Sequence, residues 1–175
     1  GVKPLRAEDP PMLLGCCSDT HDNLGLARGA VETFNAEGVD AIIHCGDVVA
    51  PFTAAAFDVG TDFHAVRGNN DGEPALGGVI EEFGTHHGES AHLRFDGVDV
   101  AVYHGTSERL VDGLVDCGDY DYVVRGHTHE RLCEERGDTV HVNPGGLPFP
   151  GADDAYHVAT LDTDTGDVRF HRIDP

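Results

Sequence analysis

The stretch Val123-Val124-Arg125-Gly126-His127-Thr128-His129-Glu130 sets a short apolar run directly against two imidazoles one residue apart. The run is too short for a helix and fits a buried strand, which Gly126 ends. His127 and His129 then stand just past the strand, where they can share one metal ion or each hold a different one. A lone His-x-His carries little weight. The weight comes from repetition along the chain. Asp19 and His21 follow the apolar run Met12–Cys17, Asp47 follows Ala41–Ile43, Asn69 follows Phe63–Val66, and His104 follows Val100–Tyr103.

Between these runs the pattern alternates strand with helix. Asn23 is placed to cap a helix over Leu24–Glu37, with Leu24, Ala27, Val31 and Phe34 on one stripe and Gly38 as its end. Pro51 opens a short helix over Phe52–Phe57, and residues 73–83 are compatible with another. Strand, helix, strand, helix, strand predicts a parallel sheet with right-handed crossovers. Asp96-Gly97 between Ser90–Phe95 and Val98–Tyr103 is a hairpin signal, so antiparallel strands are expected from there on. Ser107 is placed to cap a helix carrying Leu110, Val111, Leu114 and Val115. Strands follow at Tyr122–Val124, Arg131–Glu135, Thr139–Val142, Tyr156–Asp162 and Val168–Ile173. The fold class is mixed α/β, a pair of mixed sheets flanked by helices.

A chain of 175 residues suits one domain, assigned to residues 12–175. Residues 1–11 are polar with Pro4, Pro10 and Pro11, and read as a disordered leader or expression remnant outside the fold. The formal net charge is −21, and Lys3 is the only lysine. Self-repulsion of that size is relieved when the Debye length falls to about 3 Å at 1 M salt. The surface therefore reads as adapted to a high-salt cytoplasm. It also argues against duplex DNA as a partner, which requires clustered Lys and Arg. Five cysteines without a C-x-x-C spacing suggest reduced, buried thiols. No stretch approaches the roughly 18 apolar residues of a membrane span, and no membrane partner is expected. A homo-oligomer is compatible with the sequence.

In open α/β sheets ligands gather beyond the carboxyl ends of strands, so Asp19, His21, Asp47, Asn69, His104, His127 and His129 are candidates for one site. All offer oxygen or imidazole nitrogen and none is cysteine. Such a set suits Mn, Fe, Zn, Ni or Co, and seven donors are more than one ion usually takes. Two ions bridged by one carboxylate would use them all, with Asp47 after Gly46 as the natural bridge.

The motifs Asp19-Thr20-His21, Gly46-Asp47, Gly68-Asn69-Asn70-Asp71, His104-Gly105, Gly126-His127-Thr128-His129 and Asn143-Pro144-Gly145 stand in an order that resembles the calcineurin-like metallophosphoesterases, specifically small archaeal and bacterial phosphodiesterases. The resemblance implies a four-layer αββα sandwich. It implies one metal on Asp19, His21, Asp47 and His129, and a second on Asp47, Asn69, His104 and His127, with Mn as the expected metal. The implied activity is hydrolysis of a small phosphodiester, with water activated as hydroxide for in-line attack on phosphorus. A phosphomonoesterase or nucleotide pyrophosphatase on the same site is the alternative, as is a noncatalytic scaffold like the retromer subunit that resembles this fold.

Two positions depart from the family pattern. Asn70 stands where many members have His, and an amide donates a hydrogen bond but delivers no proton. Asn70 is therefore expected to touch the phosphoryl group without acting as an acid, which favours good leaving groups. Gly146 stands where Ser is frequent. Arg67 and Arg125 each precede a motif glycine and either pair with nearby acids or contact the substrate, and Gly145 belongs by resemblance to the site wall. His44 is expected to support the ligands, Asp22 and Asp71 to orient the motif loops, and His86 and His87 to be solvated.

Overall fold

Alternation along the first strand shows how the layers arise. In the computed structural model, which describes residues 11–174, β1 is Leu13–Cys17. Leu14 and Cys16 point into one apolar cluster while Cys17 points into another, as period-2 geometry requires. A strand buried on both faces needs a layer on each side, and the chain supplies them.

The first sheet also contains β2 (Ala41–His44), β3 (Asp62–Ala65), β4 (Thr85–His86), β10 (Tyr156–Asp162) and β11 (Val168–Ile173). Its order is β11-β10-β1-β2-β3-β4, with β1 to β4 mutually parallel and β10 antiparallel to both of its neighbours, β1 and β11. The second sheet contains β5 (Ser90–Phe95), β6 (Val98–Tyr103), β7 (Tyr122–Val124), β8 (Leu132–Arg136) and β9 (Thr139–Asn143), ordered β5-β6-β7-β9-β8. There β6, β7 and β9 are parallel, and the hairpins β5–β6 and β8–β9 close the edges.

Three apolar clusters separate four layers. Helix α1 (Leu24–Glu37), α2 (Pro51–Ala54) with the single 3₁₀ turn Ala55–Phe57, and α3 (Ala75–Glu81) pack on the outer face of the first sheet. The inner faces of the two sheets meet through Leu14, Ile43, Leu161, Val100, Val124 and Val142. Helix α4 (Glu108–Asp116) covers the outer face of the second sheet with Val111 and Val115. This is the expected αββα sandwich. Among the described residues no helix is long and apolar enough to cross a membrane.

Several details differ from expectation. The buried stripe of α1 is Leu26, Ala27, Ala30 and Phe34, because the helix crosses β1 at Gly15, where an added Cβ would lie 2.7 Å from the Phe34 ring. Leu110 is 59% exposed, since α4 is only one face deep over the sheet. All five cysteines are free, but only Cys16, Cys17 and Cys45 are buried; Cys133 lies on the outward side of β8 and Cys117 at the end of α4. The two-residue strand β4 was not anticipated. It places His86 and His87 against β3, where His87 Nε2 lies 2.9 Å from His64 Nδ1, so neither is a fully solvated loop residue. The leader assigned to residues 1–11 falls outside the described residues except for Pro11.

Candidate metal centre

The carboxyl ends of β1, β2 and β3 in one sheet and of β6, β7 and β9 in the other open at the same end of the sandwich. Their loops interlock through the backbone: Asp19 N–H donates to Gly46 O, His21 N–H to Asp47 O, Gly126 N–H to His104 O, and Leu147 N–H to Asp19 O, all at 2.9–3.0 Å. All seven candidate ligands meet there in an unbroken chain of contacts. Asp19 Oδ1 lies 3.3 Å from His129 Nε2, which lies 3.2 Å from His21 Nε2, which lies 3.3 Å from Asp47 Oδ2. Asp47 Oδ2 is 3.4 Å from His104 Nε2, and Asn69 Oδ1 bridges His104 Nε2 at 2.9 Å and His127 Nδ1 at 3.0 Å.

The backbone makes this convergence possible at a cost. Asp19, His21, Asp47, His127 and His129 all have positive φ, between 44° and 74°, as do Asp22 and Val49 in the same loops. Such conformations cost an L-residue on the order of 1–2 kcal/mol and concentrate at functional sites. The motif glycines serve mainly to give room. A Cβ at Gly68 would sit 2.1 Å from Asp47 Oδ1, and one at Gly126 would sit 2.0 Å from Ser18 Oγ and 2.4 Å from Asp19 Oδ2. Side-chain carboxylates lie flat against bare backbone at both places.

Several of the candidate ligands are aimed by a second contact. Asp19 Oδ2 accepts from Ser18 Oγ at 2.6 Å and from His127 N–H at 2.9 Å, which leaves Oδ1 fully buried with no hydrogen-bond partner and facing the imidazoles. His104 Nδ1–H donates to Cys45 O at 2.7 Å and His129 Nδ1–H to Leu147 O at 2.6 Å, so each presents Nε2 to the cage. Asp71 accepts from the N–H groups of Asp47, Gly68 and Val49, and Asp22 from Ala50 N–H and Thr53 Oγ1. Both hold the motif loops, as expected. His44 is wholly buried, accepting Gly46 N–H on Nδ1 and donating from Nε2 to Thr20 Oγ1, and burial lowers its pKa to about 4.

Burial alone would raise the carboxyl groups of Asp19 and Asp47. The close imidazoles of His129 and His21 for Asp19, and of His104 and His21 for Asp47, outweigh it and hold both well below the usual range. In return Asp19 and Asp47 push His21 up to about 9. Burial opposes the same effect at His104 and His129, yet both are raised. His127 is lowered by burial and by the nearby His104. The two acids are thus held ionised by the imidazoles around them together with Ser18, the His127 N–H and Asn70, and one buried acceptor, Asp19 Oδ1, is left without a hydrogen-bond partner among them. That is the arrangement a cation would complete.

A model of the calcineurin-like phosphoesterase superfamily domain matches residues 12–166. The chain belongs to the calcineurin-like phosphoesterase superfamily. Membership makes it an enzyme of the metallophosphoesterase class. It is 36% identical over 145 residues to a phosphodiesterase of Methanocaldococcus jannaschii, covering 77% of this chain and 83% of the relative. It is 27% identical over 169 residues to phosphodiesterase YfcE of Escherichia coli K12, covering 87% and 89%. The solved structure of an archaeal phosphodiesterase superposes with a TM-score of 0.86 at 32% identity, over 93% of this chain and all of that one. Vacuolar Protein Sorting 29 from Cryptosporidium parvum shares the fold at a TM-score of 0.68 and 18% identity, over 94% and 97% of the two chains.

Against this superfamily pattern, the residues that depart from it take on structural meaning. The Asn70 amide donates to Asp47 Oδ2 at 2.9 Å and its backbone N–H to Asp47 Oδ1 at 2.8 Å, so it clamps Asp47 rather than reaching toward a substrate. A Cβ at Gly146 would lie 2.7 Å from Asp19 Cβ and 3.0 Å from His129 Cγ, so glycine there lets the loop press onto two ligands. Arg125 is buried and bonds Glu108, Gly105 O and Gly126 O, so its guanidinium is engaged in the ion pair and in two loop carbonyls instead of facing a substrate. Arg67 bonds Asp71 O through Nε and is otherwise largely exposed. Gly145, at φ 100°, is buried against Arg131 and His157 and forms wall rather than contact. Sequence reading missed Ser18, Tyr156, whose hydroxyl donates to Ser18 O at 3.1 Å, and Phe149, which rests on His129. Only Phe149 left a signal, an aromatic between prolines just past a site motif.

Proposed function

We propose that the protein is a dinuclear, metal-dependent phosphodiesterase. The reading is carried by one observation: the buried, unpartnered Asp19 Oδ1 at the head of a continuous chain of seven oxygen and nitrogen donors. Asp19, His21, Asp47 and His129 would hold one divalent ion, and Asp47, Asn69, His104 and His127 the other, with Mn preferred and Ni, Fe, Zn or Co as substitutes. Bound ions would supply Lewis acidity, polarising phosphoryl oxygens and acidifying water.

The protein's own contribution is orientation. Ser18 and the His127 N–H turn Asp19 inward, Asn70 fixes Asp47, and the carbonyls of Cys45 and Leu147 fix the tautomers of His104 and His129. Arg67, two residues before Asn69, bonds Asp71 O through Nε and lies 3.8 Å from Glu89; half exposed, it would draw an anionic phosphodiester toward the cage through a negative surface. Among the described residues, the groups beside the cage offer the leaving oxygen no ready proton. The Asn70 amide is spent on Asp47, and His127, lowered by burial, would itself be bound to metal. Substrates with acidic leaving groups are therefore favoured.

The test is hydrolysis of bis(4-nitrophenyl) phosphate in the presence of Mn. Activity that vanishes with chelation and drops about a hundredfold or more in Asp47→Ala and His127→Ala is expected. Faster turnover of 4-nitrophenyl phosphate than of the diester would replace this reading with a phosphomonoesterase. Equal rates on activated and alkyl diesters would contradict the lack of a leaving-group acid.

A further inference from the structure

Phe149 is a large apolar side chain left 48% exposed at the rim of the cage, with its ring centroid 4.8 Å from that of His129 in an edge-to-face arrangement at 73°. The His21 ring also lies against His129, with 4.9 Å between centroids. His21, His129 and Phe149 thus make successive ring contacts, the first two with nitrogens in the cage and the third half exposed beside it. The segment that carries Phe149 is held in place at several points. Leu147 N–H donates to Asp19 O, Leu147 O accepts from His129, and Ala152 N–H donates to Phe149 O. Pro148 and Pro150 on either side restrict its backbone.

A half-exposed phenylalanine adds little to folding, yet this one is rigidly presented one ring's breadth from the candidate metal ligands. A phosphodiester seated in the cage carries two ester groups, and one that extends over His129 meets the Phe149 ring. Glu130, exposed and next in sequence to His129, disfavours a further phosphate beyond that ring. We propose that Phe149 is a specificity-determining residue that packs against an uncharged planar aromatic ester group of the substrate, an aryl or nucleobase-bearing group. The proposal rests on the phosphodiesterase reading and names its substrate class.

The experiment compares Mn-loaded wild type, Phe149→Ala and Phe149→Tyr, with melting temperature and metal content checked in each. Calorimetry with phenylphosphonate and methylphosphonate reads binding without turnover. The wild type is expected to bind the phenyl compound about three- to tenfold tighter, the worth of one aromatic contact. Phe149→Ala should abolish that preference and Phe149→Tyr restore it. With bis(4-nitrophenyl) phosphate, Phe149→Ala should raise KM by a similar factor and leave kcat within about twofold. A phenyl preference that survives in Phe149→Ala, or a fall in kcat with KM unchanged, would overturn the proposal. Should no diester be hydrolysed by the wild type, the phosphodiesterase reading fails, and the phosphonate pair still decides whether Phe149 selects aromatic groups.

Discussion

Asp19 combines the features of a binding position: left-handed backbone, complete burial, one oxygen accepting two hydrogen bonds and the other unpartnered among imidazoles. Without a cation, His21 carries a proton that Asp19 and Asp47 stabilise, with a pKa of about 9 against an ordinary 6.5. A raised folded-state pKa gives stability that is fully present below 6.5 and lost as pH rises through about 9. The chelated protein should therefore lose melting temperature between pH 6.5 and 9, and Mn should restore it most at the alkaline end. A flat profile would show that the cage holds no such proton. His44 has the opposite sign. Its pKa is lowered by burial to about 4, so its contribution is complete above 6.5 and is lost as pH falls toward 4. Urea denaturation at pH 7 and pH 5 should show wild type losing more stability than His44→Gln, by about 1–3 kcal/mol. At this scale the convergence of the seven candidate residues was legible because each follows an apolar run. The reason for the motif glycines was not, since room beside a carboxylate depends on a loop distant in sequence.

Elements place these residues, and α1 shows how closely. Gly15 leaves the outer face of β1 bare where Phe34 crosses it. Gly15→Ala, although a better strand residue, should destabilise the protein by about 1–3 kcal/mol through overpacking, measured by urea denaturation; Gly15→Ala combined with Phe34→Leu should recover part of it. A stripe drawn at Leu24 and Val31 could not reveal this, because helical period fixes the width of a face but the crossing point fixes its centre. Strand β4 was illegible for a related reason: two residues carry no period, and their pairing to β3 comes from tertiary context. The β5–β6 hairpin was legible from Asp96-Gly97 because its signal is local. Arg125 joins three elements, tying the loops of His104 and His127 to Glu108 at the start of α4. Arg125→Met keeps the apolar stem but frees both loops. Its Mn affinity should fall about tenfold or more while Arg125→Lys retains part of it, read by metal titration.

For the whole molecule, the balance of charge decides the conditions under which all this is stable. Eleven basic residues face thirty-two acidic ones for a net charge of −21. The ion pairs that do form, such as Arg94–Asp99, Arg136–Asp116 and Arg172–Asp174, are exposed and contribute little. Salt weakens those pairs, but it screens the much more numerous acid–acid repulsions too, so the net effect of screening is stabilising. Thermal melting of the Mn-loaded protein should rise by at least about 4 °C between 0.1 M and 2 M KCl, the trace of roughly 1–2 kcal/mol in a domain of this size. General salting-out would produce a rise of the same sign, so the decisive comparison is a variant with Asp58, Glu73, Glu82, Asp119 and Asp138 reversed to lysine. All five are exposed and lie outside the cage. If repulsion is the cause, the variant melts higher than wild type at 0.1 M and the two converge at 2 M, because screening then leaves little repulsion for the reversal to relieve. Parallel curves would assign the salt effect to the solvent and remove the charge argument for a high-salt cytoplasm.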